Sequence, residues 1–310
     1  VLYVSTGGIC FFNPADNSTD RLSKINGLSD VEGTVARYNS TVNKFILCYA
    51  NSNIDIIDNN AIFNIPDIKN KNITGNKAIN DAFCLNQFAY LACGFGIVVL
   101  DMSRMEIADT WFIGPSGNAI NVRSITSDGT NFYAGTDAGI YKAPMSANLA
   151  NYLNWQQITS IPNHNGIFNA VTFYHGRLYA NNSKALLQAP IYNQDSVYYY
   201  DTTWHKFPEF ANWGIIVKGI KNTADELLFL LADKAFGYVN SSPDDTLIHA
   251  NPYYIQDPVT SGIHDGCADE SGDVWFADNF YGLSNWRTSV GFESRYPNGP
   301  ASDNVNQIGV

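Results

Sequence analysis

Three aspartates, Asp137, Asp233 and Asp278, follow strand-like runs at what read as equivalent turns along the chain. Two carboxyl groups facing each other across a pocket can cleave a glycosidic bond, one as acid and the other as base or nucleophile. An aspartate repeated at turns is also what a turn demands, because its side chain accepts hydrogen bonds from the backbone just ahead of it. The turn role is the expectation, so no catalytic residue is assigned and the chain is expected not to be an enzyme. A polysaccharide lyase or hydrolase is the remotest alternative.

Other chemistry is sought on the same terms. The five histidines, His164, His175, His205, His249 and His264, show neither H-E-x-x-H nor alternate spacing. They are expected in turns or on the surface, not on zinc. There is no G-x-S-x-G nucleophile turn and no P-loop. "DESGDVW" at 269–275 approaches a calcium loop but lacks its Asp-x-Asp-x-Asp-Gly order, so an Asx-type turn is expected. Cys10, Cys48, Cys84, Cys93 and Cys267 form no C-x-x-C pair. Each lies in a strand-like run, where a free thiol behaves as a small buried hydrophobe. Neither metal nor organic cofactor is expected.

What remains is a binding face. Turns between second and third strands would carry Asn51, Asn53, Asn181, Asn182, Lys184, Asp233, Lys234, Asn279, Phe280 and Tyr281. Loops between repeats would add His164, Phe210, Trp213, Tyr253 and Tyr254 on the same side. Aromatics mixed with amides suit a sugar or a protein partner.

The elements that would position these residues come from a repeat. "YAGTDAGIYKAP" at 133–144 is a strand, a tight turn and a second strand. The same pattern returns as "LYVSTGGICFF" (2–12), "FAYLACGFGIVVL" (88–100) and "VWFADNFYGLSNW" (274–286). Each repeat reads as a four-stranded meander, with glycines such as Gly8, Gly96 and Gly139 at the tight turn. Unit starts fall near Val31, Ile79, Val122, Ile167, Trp213, Ile263 and Val305, at intervals of about 42 to 50 residues, the period of propeller blades. One such sheet cannot bury both faces alone, so the sheets must ring an axis. The expected fold is all-β, a seven-bladed β-propeller in one domain, 1–310. Its ring would close where Val305–Val310 pairs antiparallel with Val1–Thr6, giving a split blade of 305–310 plus 1–30.

Composition agrees. Of the 310 residues, 45% are hydrophobic and 14% aromatic, enough for a large β core. The net charge of −11, with no basic stripe, argues against nucleic acid as a partner. No apolar run is long enough to span a membrane. The sequence starts at Val, not Met, so a signal peptide is expected to have been removed or to lie outside it.

Several stretches resemble one family: "SKINGLSDVEGTVARYN" (23–39), "FILCYANSNIDIIDNNAIFNIPDIKNKNITGNKAIND" (45–81), "AYLACGFGIVVLDMSRMEIADTWFIG" (89–114) and "YAGTDAGIYKAP". They are similar to the N-terminal β-propeller of PorZ-like proteins of Bacteroidetes, over roughly residues 1–160. The resemblance implies a place in the periplasm or on the cell surface, within the type IX secretion attachment complex. Its partners would be a sortase-like protein, an anionic lipopolysaccharide, or both. Such proteins carry a second propeller and a C-terminal sandwich, so this chain looks like one module of a longer protein. The blades also resemble those of hybrid two-component regulators, whose periplasmic propellers would sense a glycan; that is the alternative reading. "DSV" (195–197) and "DTL" (245–247) look like Bacteroidetes O-glycosylation acceptors.

Overall fold

Alternating aromatic and β-branched runs broken by Gly, Asn and Asp give strands with tight turns. The computed structural model describes residues 2–5, 8–13, 15–59, 61–184, 195–207, 216–223, 226–231, 236–239, 247–250, 263–269, 273–278, 282–287, 291–295 and 305–309. These residues form an all-β propeller, in which the described strands pair into seven four-stranded antiparallel sheets.

Sheet 1 orders Val305–Gly309, Leu2–Ser5, Gly8–Asn13 and Ser18–Leu22. Sheet 2 runs Gly33–Asn39, Lys44–Tyr49, Ile54–Asp58, Ala61–Ile65, and sheet 3 runs Ile79–Leu85, Phe88–Cys93, Gly96–Asp101, Glu106–Trp111. Sheet 4 is Val122–Ser127, Asn131–Thr136, Gly139–Pro144, Gln156–Gln157, and sheet 5 is Phe168–Tyr174, Arg177–Asn182, Ser196–Tyr200, Trp204–Lys206. Sheet 6 is Val217–Thr223, Glu226–Leu231, Phe236–Val239, Leu247–Ala250, and sheet 7 is Ile263–Ala268, Val274–Asp278, Gly282–Arg287, Gly291–Arg295.

Three strand starts differ from expectation, the smallest difference being at Ile167, one residue before the strand that begins at Phe168. Val31 lies in a loop, 48% exposed, because Glu32 turns the backbone at φ 59° and delays the inner strand to Gly33. The inner strand of sheet 6 begins at Val217, and Trp213 lies outside the described residues.

Burial peaks in the middle strands and falls toward the rim. In sheet 3 every residue of Gly96–Asp101 is buried, whereas Glu106–Asp109 on the outer strand stay at least partly exposed. The middle strands therefore pack on both faces. Buried clusters fill the gaps between consecutive sheets. Ile46, Ile54 and Ile56 of sheet 2 meet Leu91 and Val98 of sheet 3. Ile9 of sheet 1 meets Ala36 and Leu47 of sheet 2, while Cys10 and Phe12 of sheet 1 meet Trp275 and Leu283 of sheet 7. The cluster between sheets 3 and 4 is aromatic, with Tyr90, Trp111, Phe132 and Trp155 in tilted contact at 4.6–6.1 Å.

A bulge recurs at the start of the inner strands. Val122 faces Thr136, but Ser124 faces Gly135, so Arg123 is the extra residue. The same shift occurs at Gly33/Val35, Ile79/Asp81, Phe168/Ala170, Val217/Gly219 and Ile263/Asp265. Bulged residues tie one sheet to the next. The Asn80 amide donates to the Val122 carbonyl at 2.6 Å, and the Asn169 amide donates to the Val217 carbonyl at 2.8 Å.

Candidate functional site

One backbone hydrogen bond recurs at the end of the propeller where the inner strands begin. The residue after a second strand donates to the residue just before the inner strand of its own sheet. The pairs are Ala50 to Glu32 (3.0 Å), Gly94 to Ala78 (2.9 Å), Asp137 to Asn121 (3.1 Å) and Ser183 to Ile167 (2.8 Å). The bond brings the second-to-third-strand turns and the inter-sheet loops to one end. Asn51, Asn53, Asp137, His164, Asn181, Asn182 and Lys184 all lie there. Phe210, Trp213, Asp233, Lys234, Tyr253, Tyr254, Asn279, Phe280 and Tyr281 lie outside the described residues.

The amides at this end do not form an open face. Of the residues expected on this face, Asn53, Asn181 and Asn182 are buried, Asp137 and His164 are half-buried, and Asn51 and Lys184 are exposed. The side-chain nitrogens of the buried ones donate to neighbours, while Asn181 Oδ1 has no hydrogen-bond partner among the described residues. Asp195, buried at the start of the third strand of sheet 5, accepts from the Asn181 amide (3.0 Å), the Ser183 hydroxyl (3.3 Å) and the Lys184 and Val217 amides (2.8 and 2.9 Å). One carboxylate thus holds a turn of sheet 5 to the inner strand of sheet 6. Asp195, Ser196 and Val197 are all buried, so "DSV" offers no acceptor hydroxyl to a glycosyl donor, contrary to expectation. The "DTL" stretch begins outside the described residues. Replacing Asp195 with Ala strands several buried donors, each costing roughly 1–3 kcal/mol. Urea denaturation of Asp195→Ala should show a loss of about 3 kcal/mol with the same m-value.

A second carboxylate works the same way in sheet 2. Asp30, the last residue of "GLSD", accepts from the Asn51 amide at 2.5 Å and from Lys69 Nζ at 2.7 Å. Burial pushes its carboxyl up, but the bonds from Asn51 and Lys69 outweigh that and hold it well below the ordinary range. A depressed carboxylate stabilises above its unfolded pKa of about 4, and this contribution is lost as pH falls through the lower folded value. Beside it, fully buried Asp55 accepts from the Tyr49 hydroxyl (2.5 Å), the Ser29 amide (2.8 Å) and the Asn64 amide (3.0 Å).

The three aspartates first considered for chemistry are not equivalent. Asp278 pairs with Ile263 as Thr136 pairs with Val122, so it sits one position before Asp137, inside its strand and buried. Asp137 is clamped by the Arg123 guanidinium, Nε to Oδ1 at 2.6 Å and Nη2 to Oδ2 at 3.0 Å, and also accepts from Asn121 at 2.8 Å. A carboxylate whose two oxygens are both held by one guanidinium fixes a turn. His264, on the bulge of sheet 7, is held neutral, its pKa lowered by burial and by Lys218.

No motif in the sequence points to the charged belt that lies across the inner strands. Arg37 of sheet 2 bonds Asp81 of sheet 3 (Nη2 to Oδ1, 2.5 Å) and reaches Asp265 of sheet 7 (Nη1 to Oδ2, 3.5 Å). Lys221 of sheet 6 bonds the other oxygen of Asp265. The belt crosses sheet 1 and links residues 228 apart in sequence. Arg37 and Lys221 pair there with Asp81 and Asp265, and burial together with the nearby Arg37 pushes the Lys221 pKa well below the ordinary lysine value.

Asp269 accepts from the Asp273 amide (3.0 Å) and the Trp275 indole (2.8 Å), four and six residues on, a longer reach than the two-residue spacing of an Asx turn. Among the described residues no three His, Cys, Asp or Glu gather as a metal set. All five cysteines are free thiols. Burial pushes the Cys84 thiol up to about 11 and the Cys267 thiol up to about 12, so both stay protonated and unreactive at neutral pH. No helix among the described residues is long and apolar enough to cross a membrane.

Residues 1–156 match the family described as TSS9, PorZ, N-terminal beta-propeller domain. No curated protein matches the chain. Among solved structures, PorZ of the type-IX secretion system of Porphyromonas gingivalis is 15% identical over 97% of this chain and 58% of its own, with a TM-score of 0.47. The extracellular domain of a hybrid two-component system of B. thetaiotaomicron is 12% identical over 92% of this chain and 37% of its own, with a TM-score of 0.63. The Swd1 propeller domain of Myceliophteria thermophila is 14% identical, covers 92% of each chain and has a TM-score of 0.63. At such identities the likeness shows the propeller fold alone. The chain spans 58% of the PorZ chain and 37% of the two-component extracellular domain.

Proposed function

The chain belongs to the family of the PorZ N-terminal β-propeller domain of the type IX secretion system, and from that premise we propose that it is a non-catalytic binding and scaffold module of an envelope- or surface-associated protein. The family match over residues 1–156 carries this reading. The clamped Asp137 supports the non-catalytic part, since an arginine already occupies both its oxygens. We place the module outside the cytoplasm, as the family's role in secretion suggests. The partner is a protein of the secretion machinery, a surface lipopolysaccharide, or both.

We further read the seven sheets as blades of one closed ring and one domain. The pairing of Val305–Gly309 with Leu2–Ser5 supports this.

Binding is assigned to the end that carries the second-to-third-strand turns and the inter-sheet loops. Trp213 and Tyr281 are the aromatic anchors we assign to it. Trp213→Ala and Tyr281→Ala should each weaken binding of purified lipopolysaccharide, or of the sortase component, by at least tenfold without changing the melting temperature. Unchanged affinity in both variants removes the assignment of that end. Binding of neutral glycan fragments with neither of these ligands retained would favour the sensor-type reading.

A further inference from the structure

The loop from Ser23 to Val31 leaves sheet 1 and enters sheet 2 at the end just described. Its short 3-10 turn, Lys24–Asn26, holds Ile25 at 99% exposure. A bare aliphatic side chain at a loop tip is unremarkable when the loop is loose. This loop is fixed. Asp30 binds it to Asn51 and Lys69, the Ser29 amide donates to Asp55, and Leu28 is buried in the core between sheets 1 and 2.

Beside Ile25 is a groove lined by Arg21, Ser23, Lys24, Asn26 and half-exposed Val31. Its charge runs against that of the chain. Segments 21–31 and 66–77 carry five basic residues, Arg21, Lys24, Lys69, Lys71 and Lys77, and two acidic ones, in a chain of net charge −11. They are drawn together in space. Lys24 and Lys69 both approach Asp30, at 3.8 and 2.7 Å, and one carboxylate cannot neutralise two ammonium groups. Lys77 Nζ donates to the carbonyls of Lys69 and Lys71 at 2.6 and 3.2 Å, which satisfies its hydrogen bonds and leaves its charge. Lys24 and Lys69 remain 59% and 39% exposed.

We propose that this groove is a docking site for an acidic, extended segment of a partner protein, with one aliphatic or aromatic side chain of that segment packed on Ile25 and Val31. The inference rests on the reading that the module binds a protein, and it names the chemistry of the partner. Cations beside a preformed apolar knob fit a peptide that alternates carboxylates with a large apolar side chain, because both parts of the surface are used. A glycan or phosphate ligand would use the cations and leave Ile25 in water. Since Asp30 already orders the loop, docking does not have to fix it, which raises affinity for a given contact area.

The test uses a fluorescent ten-residue peptide alternating Glu or Asp with Leu, and the same peptide with Ala for Leu. Phosphatidylglycerol vesicles are a third probe. The whole chain should bind the acidic leucine peptide. Ile25→Asp and Lys24→Glu should each weaken that binding at least tenfold, and binding should fall as salt screens the charges. Ile25 and Lys24 lie outside the packed core, so both variants should melt like the parent. Trp213→Ala should bind the peptide like the parent, which separates failure of this groove from failure of the aromatic assignment. No binding, binding unaffected by Ile25→Asp, equal binding of the alanine peptide, or binding of vesicles alone overturns the proposal.

Discussion

Deleting residues 304–310 should lower the melting temperature by more than about 10 °C or leave the chain insoluble. The segment supplies the innermost strand of sheet 1, with Leu2 opposite Gly309, Tyr3 opposite Ile308 and Val4 opposite Gln307. Without it, Leu2–Ser5 keeps one paired edge and exposes the other, and an open strand edge templates association with other chains. The loss spreads sideways. Sheet 1 packs against sheet 7 through Cys10 and Phe12 and against sheet 2 through Ile9. Both interfaces lose order when its inner strand is missing, at several kcal/mol by area burial. The ends also join residues far apart in sequence, so the pairing makes the sheets unfold together. Differential scanning calorimetry of the deletion variant reads this directly. A transition at the parent's temperature, with the parent's enthalpy, would mean that the strand adds nothing to the stability of the fold.

The strands were legible in the sequence because their signals are local. The turn at Asp128 shows this: its carboxylate accepts from the Thr130 and Asn131 amides at 2.8 and 2.6 Å, all within "SDGTN". Gly139 is equally local in sequence but not in cause. Its φ is 104°, and a Cβ there would stand 2.2 Å from the His164 carbonyl, so the tight approach of a loop 25 residues on requires glycine. The site was less legible, because face and partner are not written locally. A one-residue bulge at each inner strand changes which residues share a position. Asp278 and Asp137 look alike in sequence, yet Asp278 is the last paired residue of its strand, opposite Ile263 and Gly282, the place that Thr136 and not Asp137 holds in sheet 4. Asn181 and Asn182 read as surface amides, but Asp195 and the Ile167 carbonyl, 14 and 15 residues away, occupy them inside the fold. Asp30 and Asp195 were visible only as parts of short motifs, and their roles depend on the turns they meet in space.

The charged belt gives the largest effect expected of a single substitution. Asp265→Ala should destabilise the fold by about 3–5 kcal/mol, the range for breaking a buried ion pair by removing one partner. The Asp265 side chain is 1% exposed and lies between two cations, Arg37 at 3.5 Å on one oxygen and Lys221 on the other. Its removal leaves Arg37 and Lys221, each 21% exposed, facing a gap with Asp81 the remaining carboxylate of the belt. The Arg37 charge then acts on Lys221, whose charged form burial already disfavours, without the Asp265 carboxylate between them. Because the belt runs from sheet 3 to sheet 6 across sheet 1, the damage should fall on the same junction that the terminal strand completes. Urea denaturation should therefore show a lower midpoint with the slope little changed. The double variant Asp265→Leu with Lys221→Met should recover much of the loss, since removing both charges removes the uncompensated one. If Asp265→Ala unfolds within about 0.5 kcal/mol of the parent, the pairs across the inner strands are solvated well enough to be dispensable. In that case cohesion between the sheets must come from the apolar clusters between them.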